Sequence, residues 1–392
     1  MLKIGLLWHS VTSDNLGVGA LTESQMAIIT EAADSLGLEV EYLVMGTTGG
    51  KNYNITDKKV TAGIDVSLKR ILVGASKFPK AVRSSDIVFD IGEGDSFADI
   101  YGQSRFNIQI LSKVICQFFN KPLILSPQTI GPFAKSYNRA IASYVMRKCR
   151  KVFARDNLSF DYLVENGSQD NALEVIDVAF KLPYTKSAVV NDKFAIGINV
   201  SGLLYNGGYT KDNQFGLTVD YPKLVHELIE KLNQKDNVEI WLVPHVITDT
   251  FPVEDDYQVS LKLQEKYPFL KIAPKFEAPS QAKSFISKLN FFTGARMHAC
   301  IAAFSSGVPV IPMAYSRKFN GLFGSLNYFH VADCRALSNE QVIEMILTAL
   351  SNVNSIKSNV DAGNEIAFKR LEVYRSYIRD VLAEIAKKTR AT

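Results

Sequence analysis

Short apolar runs rich in β-branched residues alternate with longer stretches whose apolar residues recur every three or four positions, and the alternation persists along most of the chain. Runs of the first kind predict strands over residues 3–8, 38–44, 87–91, 123–126, 151–154 and 173–176. Stretches of the second kind predict helices over 22–35, 107–119 and 137–148. After residue 193 the pattern restarts, with strands expected over 194–200, 238–244, 270–272, 291–293 and 309–313. Helices are expected between and around them, over 221–233, 257–266, 280–288 and 297–305. Strands alternating with helices in this way define an α/β fold built on mostly parallel sheets.

The turn-rich polar stretch 182–193 interrupts the pattern and marks a junction between domains. The expected division is 1–182, 194–360 and a terminal segment, 361–392. In that segment Ile366, Leu371, Tyr374, Ile378, Leu382 and Ile385 fall at helical spacing among lysines and arginines. The favoured reading is a helix packed on the domains with a solvated basic face; the second reading is peripheral contact with a membrane surface.

Composition narrows the classes. Of 392 residues, 47% are hydrophobic and 21% charged, which fits a folded protein, and 44 Lys and Arg against 40 Asp and Glu leave a charge of +4. So small an excess excludes a general nucleic-acid binder. The first ten residues read as a strand rather than a signal peptide, and the longest uncharged stretch, 299–316, is interrupted by Pro309 and Pro312. The expectation is a cytoplasmic protein, at the inner face of the membrane if its substrate is carried on a lipid. Cysteines 116, 149, 300 and 334 form no C-x-x-C pair and read as packed thiols, and no metal site is expected.

Ligands of open α/β sheets bind beyond the carboxyl ends of strands, so the residues after each apolar run are the candidates for chemistry. The loop after 87–91 combines Gly92 and Gly94 with Asp90, Glu93, Asp95 and Asp99, which suits sugar hydroxyls; the plainer alternative is a capped turn in which Asp95 or Ser96 starts a helix. The loop 126–133 holds Gln128 and Thr129 on a frame stiffened by two prolines. Arg155, ending another strand, offers a planar fork to phosphate or carboxylate, or else forms a salt bridge with Asp156 or a neighbour. Asp177 serves substrate or a simple turn.

The sharpest cluster is residues 291–301, a strand, a glycine turn and a helix start carrying Arg296 and His298. Free amides and a positive dipole collect anions there, so Arg296 is expected to clamp an anion and His298 to transfer a proton. Cys300 reads as a packed thiol. Past the next strand, residues 315–321 add Lys318 as an anion ligand. His245 ends a strand ahead of Glu254, Asp255 and Asp256; lacking compact ligand spacing, it is placed in a substrate shell rather than on a metal.

Taken in order, the loops 92–99, 126–133, 154–156, 177–180, 244–246, 294–298, 307–311 and 315–321 resemble those of the polysaccharide pyruvyl transferase family over roughly residues 1–330. The resemblance implies a GT-B-like fold, two Rossmann-like domains facing a cleft, with a terminal helix able to cross back to the first. It implies phosphoenolpyruvate as donor substrate with no other cofactor, and a sugar or lipid-linked oligosaccharide as acceptor. Matched by motif, the family's arginine falls on Arg155, its catalytic histidine on His298 and its lysine on Lys318. Two departures concern the acceptor side: the loop 14–20 has no acid after its glycine, and Glu93 interrupts a glycine run.

The resemblance implies formation of a pyruvate ketal in bacterial surface polysaccharide biosynthesis. Arg155 and Lys318 would bind donor and help phosphate depart, Arg296 would hold its carboxylate or phosphate, His298 would act as acid and base, and Asp95 or Asp99 would hold acceptor hydroxyls. The competing enzyme reading is a GT-B nucleotide-sugar glycosyltransferase. Against it, residues 299–307 contain no acid to hold a ribose. A non-catalytic glycan-binding protein is a third reading.

Overall fold

A computed structural model describes residues 1–53, 55, 58–94, 97–186 and 193–391; Asp95 and Ser96 lie outside them, as does most of the polar stretch before residue 193. Thirteen strands form two sheets among the described residues. The first contains β1 (Leu2–Leu7), β2 (Val40–Gly46), β3 (Val60–Asp65), β4 (Ile87–Asp90), β5 (Leu123–Gln128), β6 (Lys151–Ala154) and β7 (Ala172–Glu174). The second contains β8 (Phe194–Asn199), β9 (Val238–Leu242), β10 (Lys271–Ile272), β11 (Phe291–Gly294), β12 (Val310–Ala314) and β13 (Ala332–Asp333).

The helices of the first half are α1 (Leu16–Ser35), α2 (Leu68–Leu72), α3 (Phe78–Ser84), α4 (Gln103–Phe118), α5 (Ser136–Arg147) and α6 (Asn157–Glu165). Those of the second are α7 (Gly202–Tyr205), α8 (Tyr221–Asn233), α9 (Asp256–Lys266), α10 (Pro279–Ile286), α11 (Met297–Ser305), α12 (Arg317–Gly324), α13 (Asn339–Ser351) and α14 (Val353–Ala391).

The strand orders are β3-β2-β1-β4-β5-β6-β7 and β10-β9-β8-β11-β12-β13, and every pairing within them is parallel. Both therefore follow the doubly wound order that reverses direction once, between β1 and β4 and between β8 and β11. Central strands such as β4 and β12 are buried at every position, which is why they read as unbroken apolar runs rather than as alternation. Two strands escape the sequence pattern. Edge strand β3 buries one of its six residues, and β13 has only two.

Two compact units divide the chain: Met1–Ser13, Leu21–Lys181 and Ala367–Thr392 form unit 1, and Asp14–Ala20 with Leu182–Ile366 form unit 2. The sequential division expected at 182, 194 and 361 has no counterpart of the excursion of residues 14–20, and residues 367–392 of the terminal segment group with unit 1. Helix α1 also begins earlier than expected. Its glycines suggest a loop, but the Asn15 side chain accepts the Gly17 N–H at 2.9 Å and caps the first turn.

Unit 1 packs Phe97, Phe106 and Phe133 edge to face on one side of its sheet, with centroids 5.2 and 5.7 Å apart. The returning part of α14 belongs to the same unit: Tyr374 packs on Phe153 at 4.8 Å and donates to Gln25 or Ser126, at 2.8 and 3.1 Å. No helix among the described residues is long and apolar enough to cross a membrane.

Candidate active site

In unit 1 the polar residues gather at the carboxyl ends of β4, β5 and β6, on one side of the reversal in strand order. Asp90 ends β4, accepts the Gly92 N–H at 3.0 Å and is held 2.9 Å from Lys113 of α4, with both side chains fully buried. A buried charge persists only when paired, so this pair anchors the loop that follows. Gly92 lies at φ +67°, and a Cβ there would stand 2.7 Å from Gln128 Oε1; only glycine allows that approach. Gln128 donates to the carbonyls of Asp90 and Ser126 at 2.9 and 3.2 Å. Its buried Oε1 has no hydrogen-bond partner among the described residues.

Arg155 is buried between two carboxylates. Its Nη1 donates to Asp177 at 2.8 Å and its Nε lies 3.9 Å from Asp156. Asp177 also accepts the Ala179 N–H at 2.8 Å; Asp156 caps α6 through Ser159 N–H at 2.8 Å and accepts from Thr129 at 3.4 Å. The bridge weighed as an alternative for Arg155 is therefore present, and it extends to Asp177.

Asp99 stands apart from this group. Its carboxylate accepts the N–H groups of Ala134 and Lys135 at 2.9 and 3.1 Å and the Asn138 amide at 2.8 Å, which fixes the entry to α5. Burial pushes its acidity toward the neutral form, but these three bonds outweigh it and hold the carboxyl below its ordinary value. Gly94 sits at φ +78° in the same loop, and Asp95 lies outside the described residues.

Unit 2 is organised by one of the three acids at 254–256 that follow His245 in the sequence. Asp256, the first residue of α9, is fully buried; it accepts the Gly202 N–H at 2.8 Å, those of His245 and Val246 at 3.1 Å, and the Asn199 amide at 3.2 Å. The Arg296 fork closes on the same carboxylate through Nη2 at 2.9 Å and Nε at 3.2 Å. Arg296 Nη2 also donates to the Glu254 carbonyl at 2.8 Å, and Nη1 lies 3.7 Å from the Glu254 carboxylate. Burial disfavours its cation, but the Asp256 charge more than offsets that, leaving its pKa raised. Gly294 lets β11 approach β8, since a Cβ there would be 2.6 Å from that of Asn199.

His298 is half-buried in the first turn of α11, and its ring lies against the start of α1: a Cβ on Gly17 would be 2.5 Å from Nδ1. That segment is held to the end of β9, with Leu16 N–H donating to the His245 carbonyl and Ile247 N–H to the Asp14 carbonyl, both at 3.0 Å. His245 is buried, and neither ring nitrogen has a hydrogen-bond partner among the described residues. Burial, reinforced by His298 and Arg296, pushes its pKa down to about 3, so its imidazole is neutral.

Adjacent parallel strands β11 and β12 end on the same edge, so α11 and α12 start side by side with their first-turn amides toward it. Lys318 and Arg317 are half-buried in the first turn of α12, and Arg317 Nη2 is buried with no hydrogen-bond partner among the described residues. Cys300 is buried and donates to the Gly294 carbonyl at 3.2 Å, and burial raises its thiol pKa. Among the described residues, no group of three or more His, Cys, Asp or Glu is placed to hold a metal ion. A depression of about 700 Å³ between α8 and α13, lined by Glu230, Glu340 and Glu344 among others, lies away from these strand ends.

Sequence reasoning names Gln128, Thr129, Arg155 and Asp177, which come together in unit 1, and Arg296, His298, His245 and Lys318, which share the carboxyl edge of unit 2. It misses Asp256, Asn199, Gly17 and Lys113, and of the two cations at 317 and 318 it singles out Lys318 rather than Arg317. Asn199 had a signal, a polar residue closing a six-residue apolar strand, and Arg317 had Lys318 beside it.

Two all-parallel sheets in the same doubly wound order, with their buried polar residues gathered at strand carboxyl ends, define a GT-B-like α/β protein. Solved structures with this architecture include Anabaena HepE in complex with UDP-glucose (TM-score 0.57, 14% identity, 100% of each chain covered). They also include S. aureus MnaA with UDP (0.59, 13%, 95% of each chain) and a UDP-GlcNAc 2-epimerase from Neisseria meningitidis bound to UDP-GlcNAc (0.57, 11%, 99% of this chain and 100% of that one). At such identities the likeness is one of fold. The model of the polysaccharide pyruvyl transferase family matches residues 15–317, and the chain belongs to that family. A relative, the amylovoran biosynthesis protein AmsJ of Erwinia amylovora, is 21% identical over 303 residues, covering 72% of this chain and 70% of that protein.

Proposed function

We propose that the protein transfers a pyruvyl group from phosphoenolpyruvate to two hydroxyls of a sugar, free or lipid-linked, forming a ketal during polysaccharide biosynthesis. The observation that carries this reading is the charge balance at the carboxyl edge of β11 and β12. Arg296 is already neutralised by Asp256 and Glu254, while Arg317 presents a buried, unsatisfied N–H group beside Lys318 and two helix N-termini. From Ala278 to Ala332 the chain has no Asp or Glu. A small dianion or trianion fits such an edge without a metal.

In this scheme Arg317, Lys318 and the α12 amides hold the phosphate, and Arg296 fixes the loops around them. His298 serves as the acid and base. A proton is delivered to the donor methylene carbon while an acceptor hydroxyl oxygen bonds to the adjacent carbon and gives up its own proton. The carbon–oxygen bond to phosphate then breaks, the electron pair leaving with phosphate, and the second hydroxyl adds to the same carbon and loses its proton. Neutral His245 adds no positive charge beside His298. In unit 1, Gln128 Oε1 is assigned to accept from a sugar hydroxyl, and Thr129, Gly92, Gly94 and Asp95 to the same acceptor side. Arg155 and Asp177 hold the shape of that edge, and Asp99 positions the loop that carries it.

The test is thermal stabilisation by phosphoenolpyruvate against a panel of nucleotide sugars, followed by phosphate release with acceptor present. Phosphoenolpyruvate alone should raise Tm; the shift should shrink in Arg317→Ala, and phosphate release should be lost in His298→Ala. Stabilisation only by a nucleotide sugar would make the protein a glycosyltransferase. Arg155→Ala separates the roles: it should lower stability without weakening donor binding.

A further inference from the structure

We infer that the outer face of α4 and α5 in unit 1 is a docking surface for an anionic lipid bilayer. From Ile100 through Arg155 the chain carries ten Lys and Arg and no Asp or Glu, a local excess hidden by the small net charge of the whole; Arg105, Lys113, Arg150 and Arg155 pair with carboxylates outside the stretch. Within it α4 and α5 are neighbours, joined by Gln117, which donates to the Val145 carbonyl at 2.8 Å, and by Gln103, which donates to Asn138 at 3.0 Å.

Both helices expose large apolar side chains to water. On α5, Tyr137, Ile141 and Tyr144 follow one another at helical spacing with exposures of 53%, 44% and 53%; on α4, Val114 and Phe118 do the same, Phe118 at 77%. Arg139, Arg147 and Lys148 frame the α5 line, and among the described residues no carboxylate lies within ion-pair distance of them. Lys148 and Lys135 lean over the rings of Tyr144 and Tyr137, 4.4 and 5.7 Å from their centroids. Exposed tyrosines and aliphatics ringed by unpaired cations match the boundary between lipid headgroups and acyl chains, where aromatic rings settle and anionic headgroups attract Lys and Arg.

The terminal helix, the segment that the sequence suggested for such a contact, buries Leu371, Tyr374, Ile378, Leu382 and Ile385 and commits several of its charges within unit 1: Arg370 to Glu174, Arg375 to Glu31, and Glu384 to both Lys388 and Arg150. The inference does not depend on the pyruvyl-transfer reading, because binding to a bilayer is measured without substrate.

The experiment is flotation of the full-length protein with vesicles of phosphatidylglycerol and phosphatidylcholine, and with phosphatidylcholine alone. The wild type should float with the anionic vesicles at low salt and be released as salt screens the charges. Arg139→Glu with Arg147→Glu, and separately Ile141→Ser with Tyr144→Ser, should each lower the bound fraction at least tenfold with unchanged melting. Lys369→Glu with Lys387→Glu on the terminal helix should leave it unaltered. A wild type that stays at the bottom, or α5 variants that float as it does, would overturn the inference. Retention on immobilised polynucleotide that the α5 charge reversals abolish, without flotation, would also overturn it and assign the face to nucleic acid.

Discussion

The narrowest constraint on the His298 ring is a missing methyl group. A Cβ at Gly17 would come within 2.5 Å of Nδ1, so Gly17→Ala must push the imidazole aside. Alanine gains about 1 kcal/mol over glycine in a helix, which works against any loss of stability. With His298 in its proposed role as acid and base, the expected outcome is a kcat lowered roughly 100-fold, the cost of misplacing such a group by about 1 Å, with Tm unchanged or slightly raised. Steady-state kinetics beside a melting curve checks this; an unchanged kcat would show that His298 needs no such seat.

Neighbouring His245 makes a different prediction, through pH. Its pKa is pushed down to about 3 in the folded protein from an ordinary 6.5, so between those values the unfolded chain binds a proton that the native one does not. The stability this neutral ring contributes is complete above pH 6.5 and is lost as pH falls toward 3, at about 1.4 kcal/mol per pH unit. His9, fully buried at the end of β1, is pushed to about 3 by the same burial and adds a similar slope. Replacing His245 with Gln should remove one of the two contributions. Urea titrations at pH 6 and pH 4.5 should therefore show a smaller fall for His245→Gln than for the wild type, and equal falls would mean that His245 is already charged at pH 6.

At the scale of elements, the ends of β8, β9 and β11 are tied together by one carboxylate as well as by their own backbones. Asn199, His245 and Arg296 all donate to Asp256, so Asp256→Asn leaves a buried guanidinium without its main counter-charge. Breaking one partner of a buried pair costs about 3–5 kcal/mol, and urea unfolding of this variant should show a loss of that order. A loss below about 1 kcal/mol would mean that Glu254 alone can hold Arg296.

The same element shows where sequence reading stops. The strands carrying Arg155 and Arg296 were legible because central parallel strands are apolar at every position, and their carboxyl-end polar residues stand out. The partners were not, because Asp177 and Asp256 lie 22 and 40 residues from the arginines they bind and meet them only once the strands are laid side by side. Asp99 was legible as a loop acid, but its bonds to Ala134 and Lys135 depend on how α5 enters. Edge strand β3 left no mark, since an exposed edge needs no apolar run.

At the scale of the whole molecule, the chain enters unit 2 briefly at residues 14–20 and returns to unit 1 at residue 367, so neither unit is a continuous segment. No periodicity announces such excursions, because residues at helical spacing look alike whichever core they enter. Each unit nonetheless has its own sheet and its own anchoring residue. Tyr374, fully buried in unit 1 against Phe153, should cost about 3–5 kcal/mol when truncated to Ala, since a large ring and its hydrogen bonds to Gln25 and Ser126 are lost together. Native-state amide exchange should then speed up in β4, β5 and β6 for Tyr374→Ala, and in β8, β9 and β11 for Asp256→Asn. Equal acceleration of both sheets in either variant would show that the units open as one cooperative body, with the continuous helices α1 and α14 carrying the disturbance from one core into the other.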